Sequence, residues 1–123
     1  MTETMPTIQF FDGIAEELSD VSLRRNRTSG QRIVMMTFRS LKSLEQFNSF
    51  RNRFAKGLKL SDTEGELTIE PSSIKFYFGG PFGDDLDRME CKFEFDRDDH
   101  WERFLRFMHR YAEANGMEYG ENS

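Results

Sequence analysis

Residues 87–96 constrain the fold more than any other stretch of the chain. Met89, Cys91, Phe93 and Phe95 alternate with Arg88, Glu90, Lys92 and Glu94. Side chains of a strand point to opposite faces in turn, so this pattern makes one dry face and one wet face. No βαβ alternation occurs elsewhere, and the sheet this strand joins is expected to be antiparallel or mixed. A helix must supply the cover. Trp101, Phe104, Leu105, Met108 and Ala112 form an apolar stripe at helical spacing, widened by Phe107 and Tyr111. Asp99 followed by Glu102 resembles a capping box, and Asn115-Gly116 supplies a stop. Strands first and a long helix last predict an α+β domain, its C-terminal helix laid over the sheet.

The remaining strands can be read from turns and alternation. Ile8-Gln9-Phe10-Phe11 is a short apolar run stopped by Asp12-Gly13. Residues 20–27 set Val21 and Leu23 against Ser22, Arg24 and Asn26, and 31–39 alternate again after Thr28-Ser29-Gly30. That order predicts a hairpin. A second hairpin is expected across Asp62-Thr63-Glu64-Gly65. Residues 73–78 place Ile74, Phe76 and Phe78 opposite Lys75 and Tyr77, and Gly79-Gly80-Pro81-Phe82-Gly83 ends the run. Leu41, Leu44, Phe47, Phe50 and Phe54 have helical spacing, so an amphipathic helix is expected over 41–54 despite its Ser and Asn residues. Residues 1–7 read as a loose leader, 8–118 as one domain and 119–123 as a tail.

Composition narrows the function classes. With 32% charged residues in 123, the chain is polar, yet 13 Phe can build a core. Each buried aromatic takes roughly 150–250 Å² out of water. One Cys allows neither an intrachain disulfide nor a cysteine-cluster metal site. A formal net charge of −5 argues against bulk attraction to nucleic acid or anionic lipid. No window approaches the ~20 apolar residues of a membrane-spanning helix. Met1–Gln9 lacks the basic and apolar regions of a signal peptide, so the expected setting is a reducing compartment, or delivery by a presequence outside this sequence.

Candidate chemistry is sparse. His100 and His109 lie nine residues apart on the terminal helix and cannot share a metal, and Cys91 falls among apolar core positions. Asp84, Asp85, Asp87, Asp96, Asp98 and Asp99 match no calcium-loop spacing and suit solvation and a helix start better. An enzyme would have to use Asp84, Asp87 or Glu90 as a general base in an aromatic-lined pocket. Lys75-Phe76-Tyr77-Phe78 suggests, more weakly, a sheet on which RNA bases stack. Two basic clusters stand out: Arg24, Arg25, Arg27 and Arg32 on the first hairpin, and Arg103, Arg106 and Arg110 along one helix face. Their functional reading is recognition of an acidic or carbonyl-rich partner surface, where the guanidinium fork is effective.

Three stretches together resemble one family. Ile8-Gln9-Phe10, Gly13-Ile14 and Glu16 precede Asp20-Val21, Leu23, Arg25, Arg27 and Gly30; Asp62-Thr63-Glu64-Gly65-Glu66 forms an acidic glycine turn; and Trp101-Glu102-Arg103-Phe104-Leu105-Arg106-Phe107-Met108-His109-Arg110-Tyr111-Ala112 is a long aromatic–arginine helix. The chain is similar to the Psb28 family of photosystem II assembly factors, also called the reaction-centre W or thirteen-kilodalton proteins. Residues 41–56 and the turn from Gly79 to Asp87 depart from its usual pattern, as a diverged second family copy would. The resemblance implies a non-catalytic accessory factor without cofactor or metal. It implies binding to immature photosystem II on the cytoplasmic or stromal side of the thylakoid, through CP47 and reaction-centre subunits. Membrane association would then run through protein partners, with no nucleic acid involved. It also implies that an extended tail of the partner adds a strand to an open sheet edge, for which the 20–39 hairpin offers a basic candidate.

Overall fold

Alternation builds two sheets rather than one in the computed structural model of the chain, which describes residues 5–45 and 57–117. In chain order the elements are β1 (Thr7–Phe11), β2 (Ile14–Glu16), β3 (Asp20–Arg25), β4 (Arg32–Phe38), β5 (Leu58–Asp62), β6 (Gly65–Ile69), β7 (Ser73–Gly79), β8 (Asp85–Phe95) and the helix α1 (Asp98–Asn115). The first sheet runs β2-β1-β5-β6 and the second β3-β4-β8-β7. Every pairing is antiparallel. The α+β class is as expected, and its sheet is divided in two.

The dry face of β8 meets the dry face of β4 residue by residue. Phe93 lies opposite Val34, Cys91 opposite Met36 and Met89 opposite Phe38. All six are buried. Ile8, Phe10, Leu58 and Leu60 of the first sheet join the same core. Phe10 meets Phe38 edge-on, with centroids 5.2 Å apart at 70°, and so ties the two sheets together.

α1 lies across both sheets. Phe104, Phe107, Met108, Tyr111 and Ala112 are its buried residues, whereas Trp101 and Leu105 stand at the margin and are only partly covered. The Phe95 ring is 5.1 Å from Phe104 and 5.5 Å from Trp101. The start of the helix differs from the expected capping box. Arg97, in extended conformation, is the N-cap and makes no side-chain cap bond. The Asp99 carboxylate instead accepts two bonds from the Arg97 guanidinium, at 3.0 and 2.8 Å. The charged fork close at hand is the strongest partner of that carboxylate. Gly116 ends the helix in the left-handed conformation, φ 66°.

Two buried polar contacts hold the connections. The Tyr111 hydroxyl accepts the Leu18 N–H at 2.9 Å, fixing the β2–β3 link to the helix. Buried Glu16 accepts the N–H groups of Lys42 and Ser43 at 2.8 and 2.9 Å, and the Ser43 hydroxyl. β2 itself, with three residues, is too short for alternation to announce it. The amphipathic helix expected over 41–54 lies outside the described residues from 46 onward; Leu44 and Glu45 are helical.

Phe104 is fully buried where the helix meets β8. Phe104→Ala should therefore cost about 3–5 kcal/mol in urea unfolding, and Trp101→Ala, at the margin, should cost less. A loss below about 1 kcal/mol for Phe104→Ala would contradict this placement.

Candidate partner-binding surface

The seven arginines singled out in the sequence fall into two sets. Four are engaged inside the chain. The Asp62 carboxylate at the end of β5 has no solvent exposure and accepts Arg103 at 2.9 and 2.7 Å and Arg110 at 3.0 Å. The Glu64 N–H also donates to it at 2.9 Å. Glu64, at the β5–β6 turn, accepts two bonds from Arg106 at 2.8 and 3.1 Å, and one from Arg110. The helix stripe at i, i+3 and i+7 thus closes on the acidic turn of the first sheet. Arg32 shares a strand face with Val34 and Met36, so it points toward the helix side. There it pairs with Asp98 and stands 5.8 Å from the centre of the Trp101 ring.

Both acids are shifted down in pKa. Burial works to raise the Asp62 value, but the Arg103 and Arg110 bonds and the Glu64 N–H outweigh it and hold the carboxyl at about 2. The forks of Arg106 and Arg110 hold exposed Glu64 at about 2 as well. These residues were not paired by sequence reasoning, although the signal was present: two acids on one tight turn and a matching arginine stripe on the helix.

Arg24, Arg25 and Arg27 form the second set. All three are exposed, and they make no ion pair among the described residues. The turn that follows β3 and carries Arg27 is held by hydrogen bonds. Asn26 Oδ1 accepts the N–H groups of Thr28 and Ser29 at 2.9 and 3.2 Å, and the Asn26 N–H reaches the Gln31 carbonyl at 2.7 Å. β3 pairs with β4 on one side only and is an edge of its sheet. No described strand covers its other side. Over the wet face of this sheet runs a groove of about 500 Å³, floored by Ile33 and Met35 and bordered by Arg24, Lys75, Glu90 and Lys92. Register explains the location, because Arg24 is opposite Ile33 while Arg25 is opposite Arg32 on the helix side.

The other candidate residues are dispersed. Asp84 and Asp87 are exposed at the β7–β8 end and do not line the groove, while Glu90 lines it and receives Arg88 at 3.2 Å. The residues that line the groove at Glu90 include no aromatic ring. Cys91 is buried beside Met89, and its surroundings push its pKa up. His100 and His109 are exposed. Among the described residues, no group of three or more His, Cys, Asp or Glu could hold a metal ion. The expected RNA-stacking face is also altered by the alternation: Phe76 turns toward the core cluster, and Tyr77 on the wet side lies under Arg88, 4.0 Å from its guanidinium carbon.

Fold and surface together define a small α+β domain that presents an open, basic sheet edge beside a groove. The chain belongs to the Psb28 family: the family model described as "Psb28 protein" matches residues 8–119. The "Photosystem II reaction center Psb28 protein" of Pyropia yezoensis is 34% identical over 120 residues, covering 97% of this chain and 99% of that protein. Proteins of the same description from Guillardia theta (33%, covering 94% and 95%) and Synechococcus sp. strain JA-3-3Ab (34%, covering 92% and 97%) are similar over comparable lengths.

The acid cluster makes a pH prediction. Asp62 and Glu64, ordinarily at 3.8 and 4.5, are held at about 2 in the fold. Groups depressed in this way contribute stability that is complete above about pH 4.5 and is lost as the pH falls toward about 2. The thermal midpoint should drop across that window. Asp62→Ala should flatten the drop and, at pH 7, cost about 1–3 kcal/mol, since Arg103 loses both bonds of its fork and Arg110 keeps only Glu64. A midpoint that is constant throughout the window would contradict the cluster.

Proposed function

We propose that this chain is a non-catalytic assembly or repair factor of photosystem II, bound peripherally at the thylakoid on its cytoplasmic or stromal side. The observation that carries the reading is the β3 edge: six residues long, uncovered by any described strand, and bordered by three arginines with no acid of their own among the described residues. The names of the relatives supply the setting, since each refers to the photosystem II reaction centre. No helix of the described residues is long and apolar enough to cross a membrane, so attachment through protein partners suits the chain.

In this mechanism an extended tail of a core subunit, with CP47 and the reaction-centre proteins as candidates, lies along β3 as a fifth strand of the second sheet. Its main-chain groups bond to the open N–H and C=O groups of β3, which supply affinity with little regard to sequence. Arg24, Arg25 and Arg27 select acidic or carbonyl-rich segments and fix direction, and the Ile33–Met35 floor takes up an apolar side chain. The other three edges among the described strands suit such a tail less well. β2 has three residues, β6 carries Glu66 between Glu64 and Glu70, and β7, the far edge of the second sheet, has Lys75 as its one basic residue where β3 has Arg24 and Arg25. Arg32, Arg103, Arg106 and Arg110 serve the reading indirectly, by holding the helix and sheets in place. Polar contacts of this kind give moderate affinity, appropriate to a factor that departs at maturation. Cofactor, metal and nucleic acid have no part in it.

A tagged chain should co-purify with monomeric, immature photosystem II cores containing CP47, and recovery only as free protein would contradict the proposal. Changing Arg24, Arg25 and Arg27 together to Glu should weaken that binding about tenfold or more. The variant should keep the wild-type thermal midpoint, because none of the three contributes an ion pair among the described residues. Unfolding of the variant would mark these arginines as structural.

A further inference from the structure

The β7–β8 hairpin is longer than the sheet it belongs to. β4 and β8 pair only as far as Phe38 opposite Met89, so residues 85–88 of β8 are paired with β7 alone. This two-stranded arm leaves the sheet at the end opposite the β3–β4 turn, and on the opposite edge. Its core face continues outward beyond the core. Phe76 and Phe78 are stacked, with centroids 6.3 Å apart, and Phe78 lies opposite Leu86 and is 48% exposed. Phe82, at the turn, is 88% exposed.

The turn is built to hold that ring out. The Gly83 N–H donates to the Gly80 carbonyl at 3.2 Å, closing a four-residue turn with Pro81 in its second place. Gly80 and Gly83 have φ of 85° and 69°, a backbone region that other residues rarely adopt. The Asp85 carboxylate folds back over Gly80, so that a side chain there would meet its oxygen at 2.2 Å. A turn fixed in this way loses little conformational freedom when its aromatic ring is buried by a partner. Charge defines the partner. Residues 76–87 contain Asp84, Asp85 and Asp87 and no Lys or Arg. Arg88, at the base of the arm, pairs with Asp87 at 2.6 Å, which leaves Asp84 and Asp85 as the charge of the tip. An anionic bilayer surface repels such a tip, whereas an apolar pocket rimmed by basic residues on a protein complements it.

We propose that the β7–β8 arm is a second docking element, with Phe82 as the anchor for an apolar, basic-rimmed pocket on a protein subunit. This rests on the photosystem II reading for the identity of the complex. It adds a contact diagonally across the sheet from β3, so one partner tail on β3 and one pocket at the arm would fix the orientation of the domain.

The test is binding of the full chain to purified immature cores and, separately, to phosphatidylglycerol–phosphatidylcholine vesicles. Phe82→Ala should weaken binding to cores about tenfold at an unchanged thermal midpoint, as expected for an aromatic anchor. Phe82→Trp should retain affinity, and Asp84→Lys should weaken binding most at low salt. None of the proteins should bind the vesicles. Wild-type affinity of Phe82→Ala for cores, while the wild type binds, overturns this inference alone. Vesicle binding that depends on Phe82 also overturns it, by assigning the tip to lipid. Failure of the wild type to bind cores overturns the photosystem II reading together with the arm.

Discussion

A carboxylate leaves water only where donors replace its hydration, and Asp62 is replaced on every side. Two arginines of α1 and the Glu64 N–H converge on it at the end of β5. β5 is an inner strand of the first sheet, whereas the apolar face of α1 packs on β8 of the second. The Asp62 cluster therefore fixes the position of the helix relative to both sheets. Phe10 against Phe38 supplies the apolar bond between the sheets, but it has no directional charge to set the helix. Removal of the acid would leave Arg103 without its carboxylate and the helix tied to the β5–β6 turn only through Glu64 and the Gly65 carbonyl.

That arrangement also decides which charges are left to meet a partner. Charge on the helix is internally balanced by the acidic turn, so its arginines, conspicuous in the sequence, act as structural forks. Arg32 is directed inward by the same alternation that buries Val34 and Met36. What remains is the tip of the β3–β4 hairpin, where Arg24, Arg25 and Arg27 border an open edge. A formal charge of −5 over the chain is thus compatible with a locally basic surface. The acids of the β7–β8 arm lie at the far end of the sheet and give the domain a polarity that one net number conceals.

Much of this was legible from residue spacing. Alternation along Met89–Phe95 located the spine of the core, and Thr28-Ser29-Gly30 and Asp62–Gly65 located two hairpins that the structure contains. The α+β class followed from strands first and a helix last. Division into two sheets was not legible, because alternation specifies which face is dry but not which strands share an edge. β2 escaped through its length. The helix start was misread because Asp99, placed as a cap, has a stronger partner in Arg97. The basic clusters were found as clusters, yet pairing of Arg103, Arg106 and Arg110 with Asp62 and Glu64 joins residues about forty positions apart. Local pattern carries no information about such distant contacts. Family resemblance reached further than physics here, through the long helix motif around Trp101, and the match over residues 8–119 agrees with it.

Strand addition at β3 is the central claim, and amide hydrogen exchange reads it at the backbone itself. Half of the β3 amides point away from β4 and have no described strand to protect them. Exchange should be measured on the free domain and on the domain bound to immature photosystem II cores. The account predicts that the outward-facing amides of residues 20–25 exchange rapidly when free and become strongly protected in the complex, with the edges at β2 and β6 unchanged. Unchanged exchange along β3, with new protection at another edge, would contradict it.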